Sequence, residues 1–468
     1  MKVLGSPRPT DEQLKIIAEV RTGTEIIRGA AGSGKTTTAL LRLRNLSDMF
    51  KSRHARLEIQ TPVRALVLTY NRTLCGYVEA LAQQQASSGG GVELEVATFA
   101  QWAMRFTRNN DVIGRDAREY ALAKLSAAHD LKLSSTFLAS EVEYLRGRFS
   151  PDDYKSYLNT ERTGRGISPR VEKSTREKIL SVIDGYNAEL TAKRQVDWED
   201  ITAASANAAS MGYQIIVVDE AQDFSANQIR ALRNHLADDA HAFTLVVDTA
   251  QRLYPRGYTW KEAGIDAGQA LFHRLSKNHR NTVEIAAFAS GIVAGLKLDD
   301  DGTMPDLKMA TSHGPKPSVL KGKYNKQLSA AIGYIKSNVD LTNETVAFLK
   351  PQGGGWFADI KDRLEAEGLP YEDITRERTW ANNDVNIVLS TMHSAKGLEF
   401  DHVIILGLNQ ENTPHDEDAD DDQHQVLRRL LAMAVARARK SVVIGYKPSE
   451  ASGLVKYFVP TTINESEL

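Results

Sequence analysis

The stretch GAAGSGKTTT begins at Gly29, directly behind the apolar run EII and ahead of KTTTALLRLRNL, whose apolar residues recur at helical spacing. A short buried strand over 25–29, a glycine-rich turn and a helix are therefore expected in that order. Glycines in such a turn let backbone N–H groups converge on phosphate oxygens, and the helix contributes the positive end of its dipole. The pattern GxxxxGK[ST] is met in full by Gly29, Gly34, Lys35 and Thr36, with Ala30, Ala31, Gly32, Ser33 and Thr37 completing the loop. Lys35 is suited to reach the β- and γ-phosphates, and the Thr36 hydroxyl to ligate Mg²⁺.

Further short apolar runs follow: VRALVLTY (63–70), LEVATFA (94–100), YQIIVVDE (213–220) and FTLVVDTA (243–250). Helical segments separate them, and buried strands alternating with helices predict a largely parallel sheet covered on both faces. The pattern resumes later with PSVL (317–320), ETVAFLK (344–350), VNIVLSTMHS (385–394), DHVIILGL (401–408) and SVVIGY (441–446), which predict a second α/β unit without a phosphate loop of its own. Between the runs at 94 and 213 lies a charged, mainly helical insertion. Its centre, YLNTERTGRGISPR, has no clear periodicity and reads either as a surface loop or as an arm that sets Arg162, Arg165 and Arg170 against nucleic acid. The acidic ENTPHDEDADDDQHQ (411–425) and the low-complexity QQQASSGGG (83–91) read as solvated connectors.

Bulk properties narrow the class. A chain of 468 residues, 42% hydrophobic, has room for several cores. Cys75 is the sole cysteine, so an internal disulfide framework is excluded and a reducing compartment is the expectation. The opening MKVLGSPRPTDEQ has no signal-peptide core and no run is apolar enough to span a bilayer, which predicts a cytoplasmic protein with no membrane partner. With 58 basic and 60 acidic residues the chain is not a globally basic nucleic-acid binder, although an enclosed basic groove remains compatible with that balance.

The run IIVVDEAQD supplies acidic partners at a strand end. Asp219 is placed to hold magnesium, and Glu220 to orient and deprotonate the water that attacks the γ-phosphate. Together with the loop, these residues predict hydrolysis of a nucleoside triphosphate but leave its use open.

Further motifs bear on that use. PTDEQLKII, LVLTYNRTL, ATFAQW, VVDEAQD, VVDTAQRLY, LSKNHRN, STMHSAKGLEFDHV and RRLLAMAVARAR occur in this order from about residue 8 to 446. The series resembles the UvrD/Rep-like branch of superfamily 1 DNA helicases. That resemblance implies two RecA-like P-loop domains with parallel sheets and a nucleotide cleft between them, plus a small mainly helical insertion in the first. The expected boundaries are 1–109 and 201–275 for the first domain, 110–200 for the insertion, and 276–468 for the second domain. It also implies ATP and Mg²⁺ as cofactors. Gln13 would read the adenine edge, His279 would stack on the base where the family usually has tyrosine, and Glu399 would contact the ribose. Gln251 would sense the γ-phosphate from the first domain, with Arg280 and Arg437 approaching it from the second.

The track implied by the resemblance is single-stranded DNA or a 3′-tailed duplex. The corresponding positions are Tyr70, Asn71, Thr98, Phe99, Tyr254, Thr391 and His393. Aromatic faces accept any base, which suits a motor that walks without reading sequence. Arg256 stands where the family tends to have a second aromatic after Tyr254, so Tyr258 or Trp260 is expected to replace it; Phe99 and Trp102 could equally be core aromatics.

Two departures bear on function. About 110 residues separate Arg280 from Thr391, too few for the large accessory domain (2B) that bigger members insert there. In the last motif, Ala432 and Ala436 replace the familiar aromatic and threonine. The expectation is an ATP-dependent 3′→5′ translocase or helicase, with a protein partner supplying duplex engagement or nuclease activity. The alternative is an ATP-gated regulatory or assembly subunit of a repair or defence complex without autonomous unwinding. RNA as the track is a third reading, for which the sequence offers no recognisable module.

Overall fold

The computed structural model describes residues 9–468 except 30–31, 70–74, 76–77, 80–89, 110, 163–169, 249–257, 276–279, 297–309, 311, 351–355, 376–384 and 414–421. Two parallel sheets with flanking helices organise the chain. The first holds β1 (Gly23–Gly29), β2 (Val63–Thr69), β3 (Val92–Thr98), β4 (Ile215–Val218), β5 (Ala242–Asp248) and β6 (Leu271–Leu275) in the order β3-β2-β4-β5-β1-β6. Its register pairs Ile26 with Leu245 and Ala65 with Ile215. The second holds β7 (Ser318–Lys321), β8 (Val346–Lys350), β9 (Tyr371–Asp373), β10 (Ile387–Thr391), β11 (Phe400–Ile405), β12 (Ala438–Tyr446) and β13 (Asn464–Glu467) in the order β13-β7-β12-β11-β8-β10-β9. The central strands are buried on both faces because helices cover both, as β4 (IIVV) and β11 (FDHVII) illustrate by being buried throughout. Among the described residues, no helix is long and apolar enough to cross a membrane.

Between β3 and β4 the chain forms helices Arg115–Ala128, Ser135–Arg148 and Lys173–Lys193 around a core of their own that includes Leu122, Leu138, Val142, Leu145, Ile179, Val182 and Tyr186. The nucleic-acid arm expected here is not supported at Arg162. Its guanidinium forms a two-pronged pair with the enclosed Glu141 (2.8 and 2.7 Å), which also accepts the Tyr157 hydroxyl at 2.6 Å. An arginine committed to a buried carboxylate is part of the packing, since withdrawing it would strand the partner's charge. Arg170 is exposed near Glu172, and Arg165 lies outside the described residues.

Where this helical unit meets the first sheet's helices, Arg146 joins Asp197 (2.8 Å) and Asp200 (2.6 Å). Beside them, Glu199 keeps part of its surface in solvent, yet its Oε2 is fully enclosed with no hydrogen-bond partner among the described residues. Burial, reinforced by the like charge of Glu143, pushes this carboxyl up to about 8. The folded state thus holds a proton that the unfolded chain has already released, so stability falls as pH rises from the ordinary carboxylate range to about 8. Glu199→Gln mimics the neutral acid. It should raise Tm by roughly 2–6 °C at pH 9 and by distinctly less at pH 5, as read by thermal unfolding.

Candidate functional site

β1 delivers the chain to Gly29 at the carboxyl edge of the first sheet. A side chain there would come within 2.6 Å of Ser33 Oγ and 2.7 Å of the Leu275 carbonyl, so only glycine fits. The loop then turns through Gly32 (φ +79°) and Gly34 (φ +75°), left-handed conformations that glycine adopts without steric cost. Helix Lys35–Arg56 starts immediately after Gly34. Its N-cap, Gly34, has no side chain with which to cap the first turn's N–H groups. A Cβ at Gly34 would fall onto Gln13 Nε2, since that amide is packed against the turn. Gln13 donates to the Ser33 carbonyl (3.0 Å) and accepts from the Thr10 backbone N–H (2.8 Å), which ties helix Asp11–Ala18 to the loop.

β4 ends beside this turn. The Thr36 hydroxyl donates to both carboxylate oxygens of Asp219 at 3.0 Å. Burial first, and then the neighbouring Glu220 charge, hold the Asp219 carboxyl well above the usual carboxylate range. Glu220 itself is a non-glycine residue in the left-handed region (φ +52°), a conformation rare enough to mark the turn after β4 as specialised. The Gln222 side-chain amide donates to its Oε2.

The second sheet's side of the same cleft carries Arg280, Gly397, Glu399 and Arg437, facing Gly32, Gly34, Lys35, Thr36, Thr37, Asp219, Glu220 and Val246. Arg280 pairs with Glu399. Burial works against the Glu399 charge, but this guanidinium holds its carboxyl below the usual range. Arg437, 1% exposed, is anchored by Met433 Sδ (3.4 Å) and the Leu398 carbonyl (3.4 Å). Lys35, Arg280 and Arg437 thus stand against Asp219, Glu220 and Glu399 in one partly enclosed space, where opposed charges interact strongly.

The positions expected along a nucleic-acid track are placed less uniformly. Tyr70, Asn71 and Tyr254 lie outside the described residues, as do Ala30, Ala31, Gln251 and His279 of the expected nucleotide site. Thr98 caps the short helix Phe99–Ala103 and exchanges hydrogen bonds with Gln101. Phe99 does not offer a face to a base. It is buried with its ring 5.5 Å from Trp102 and 6.0 Å from Phe224. Nor do the expected substitutes for the missing aromatic: Tyr258 and Trp260 are 4% and 8% exposed, and the Tyr258 hydroxyl donates to the Phe224 carbonyl (2.9 Å). These rings are drawn inward because the helices around β4 and β5 need large apolar side chains to fill the layer beneath them.

Thr391 ends β10, where its hydroxyl bonds Ser394 (2.9 Å) and starts the turn that carries His393 and Lys396. Burial, aided by the Lys396 charge, lowers the His393 pKa and keeps the ring neutral at physiological pH. Lys396 itself was not singled out from sequence. Its place inside HSAKGLEF was the available signal, but a lysine beside a glycine reads as surface charge until its partners are seen.

Residues 10–273 match the family described as the UvrD/REP helicase N-terminal domain, and residues 364–449 the UvrD-like helicase C-terminal domain. The chain is 31% identical over 366 residues to the ATP-dependent DNA helicase Rep of Buchnera aphidicola subsp. Acyrthosiphon pisum (strain APS), covering 69% of this chain and 52% of that protein. It is 31% identical over 96 residues to DNA helicase II of Rickettsia typhi (20% of this chain, 14% of that one). It is 38% identical over 72 residues to the ATP-dependent DNA helicase PcrA of Staphylococcus aureus (strain Mu50 / ATCC 700699), covering 15% and 10%. Even the longest of these three matches spans about half of its relative. Since the N-terminal domain match alone takes in more than half of the chain, this protein belongs to the UvrD/Rep-like family of superfamily 1 helicases.

Proposed function

We propose that the cleft between the two sheets binds ATP with Mg²⁺ and hydrolyses it, and that the chain uses the cycle to move 3′→5′ along single-stranded DNA. One observation carries this: Arg280 and Arg437, from the second sheet's side, line the same space as Lys35, Thr36, Asp219 and Glu220 from the first. Thr36 and Asp219 offer the hard oxygen donors that magnesium prefers and would hold it. Bound there, the ion would neutralise charge on the β- and γ-phosphate oxygens. Lys35 neutralises the triphosphate from the loop side, Glu220 takes the proton of the attacking water, and the two arginines stabilise charge on the group being transferred. Because those arginines come from the other sheet, full activity requires the two units together, which is how hydrolysis becomes movement.

The test is the ATPase rate of the purified chain with and without poly(dT), with poly(U) as the comparison. The expected result is a rate raised several-fold by poly(dT). A rate indifferent to every polynucleotide would overturn the motor. The buried positions of Phe99, Tyr258 and Trp260 favour a second reading, an ATP-gated regulatory or assembly subunit with a reduced grip on the track. Displacement of streptavidin from a biotinylated strand separates the two: ATP-driven displacement supports the motor, and nucleotide-gated capture of a protein partner without displacement supports the switch.

A further inference from the structure

Lys396 sits in the turn after β10, on the second sheet's side, with its side chain 1% exposed. Its ammonium crosses to the first unit, where it pairs with Asp223 Oδ2 and lies 3.7 Å from Glu220 Oε2. Both carboxylates are nearly enclosed, at 6% and 9% side-chain exposure. Asp223 closes the single 3-10 turn Ala221–Asp223 that begins directly after Glu220, so fixing Asp223 fixes the peptide on which Glu220 is mounted. The Gln222 amide and the Lys396 ammonium both approach Oε2 of Glu220. Lys396 does not itself line the cleft.

An enclosed ammonium is tolerated only while its counter-charges are present. If the turn carrying Lys396 withdrew from the first unit, the lysine, Asp223 and Glu220 would all lose a partner at once. The same withdrawal would carry Arg280 and Arg437 off the cleft. We propose that Lys396 is a positioning residue, an ionic latch between the two units that sets the orientation of Glu220 only when the arginines are also in place. This deepens the proposed hydrolytic function and rests on it. The latch makes the competence of the base, and not merely the stabilisation of the transferred phosphate, depend on how the units are arranged.

Lys396→Met keeps most of the stem's length and removes the charge. In steady-state ATPase assays with the full chain, kcat should fall about 10- to 100-fold, the scale of a misplaced catalytic group. KM for ATP should stay within about threefold, because substrate contacts are untouched. Lys396→Arg should recover part of kcat, and Lys396→Met added to Glu220→Gln should cost little beyond Glu220→Gln alone. Thermal unfolding is followed alongside. If Lys396→Met does not fold, Asp223→Asn loosens the same latch with the lysine still paired to Glu220, and should give the same split between kcat and KM. Wild-type kcat in a folded Lys396→Met protein, or equal loss when Lys396→Met is combined with Glu220→Gln as when it is made alone, would overturn the latch while leaving the ATPase reading intact. A wild-type chain that hydrolyses no ATP would overturn both.

Discussion

Lys35→Ala and Glu220→Gln are each expected to reduce ATP hydrolysis by roughly 10²–10⁴-fold, the contribution of a well-placed acid–base group or phosphate-binding cation. They should do so differently. Lys35 opens the helix at the glycine loop, and its removal takes away the cation proposed to meet the triphosphate from the loop side, so nucleotide binding should weaken together with the rate. Glu220→Gln preserves size and can still meet the Gln222 amide through its carbonyl oxygen, so binding should persist while turnover disappears. Steady-state phosphate release combined with binding of a fluorescent ATP analogue distinguishes the two patterns. Near-wild-type turnover in either folded variant would remove the hydrolytic assignment.

The second large effect concerns the arginines opposite. Arg437→Ala should lower kcat by roughly 10³-fold or more, with a much smaller change in nucleotide affinity, because a guanidinium aimed at the transferred group matters most as charge develops there. Arg437→Lys should fail to restore the rate, since a point charge lacks the fork anchored here by Met433 and Leu398. Arg280 differs, because it has a carboxylate partner in Glu399. Arg280→Ala should therefore cost stability as well as rate, by taking the paired guanidinium away from a half-buried Glu399 carboxylate. Adding Glu399→Gln should return the stability without the activity. The depressed Glu399 carboxyl contributes stability above the ordinary carboxylate range and loses it as pH falls through its lowered value. The Tm deficit of Arg280→Ala should accordingly be larger at pH 7 than at pH 4.

The central strands were legible in the sequence because β2, β4, β5 and β8 are covered on both faces and must be nearly continuous apolar runs. β6 (LFHRL) and β13 (NESE) escaped that reading for a physical reason. Both are sheet edges, β6 alternates and β13 is exposed throughout, so neither needs an apolar signature. At the cleft, spacing marked Lys35, Thr36, Asp219 and Glu220 because loop and strand end demand those residue types locally. The pairings of Arg280 with Glu399 over 119 positions and of Lys396 with Asp223 over 173 depend on tertiary contact, and no local pattern encodes them. Aromatics were the least legible. Phe99, Tyr258 and Trp260 have the chemistry to stack on bases and equally the chemistry to fill a core, and only burial separates the two uses.

The helical unit between β3 and β4 has a consequence for how the chain is made. Arg64 at the start of β2 bonds Gln214 just ahead of β4, a contact that spans 150 positions. At roughly 5–20 residues per second on the ribosome, β2 waits on the order of ten to thirty seconds for its neighbour. During that interval an apolar strand edge is unpaired, while the helices between, rich in local contacts, can already close around Leu138 and Ile183. Nascent-chain proteolysis should therefore find the insertion protected before the first sheet is, and chaperone demand should peak between the emergence of β2 and that of β4.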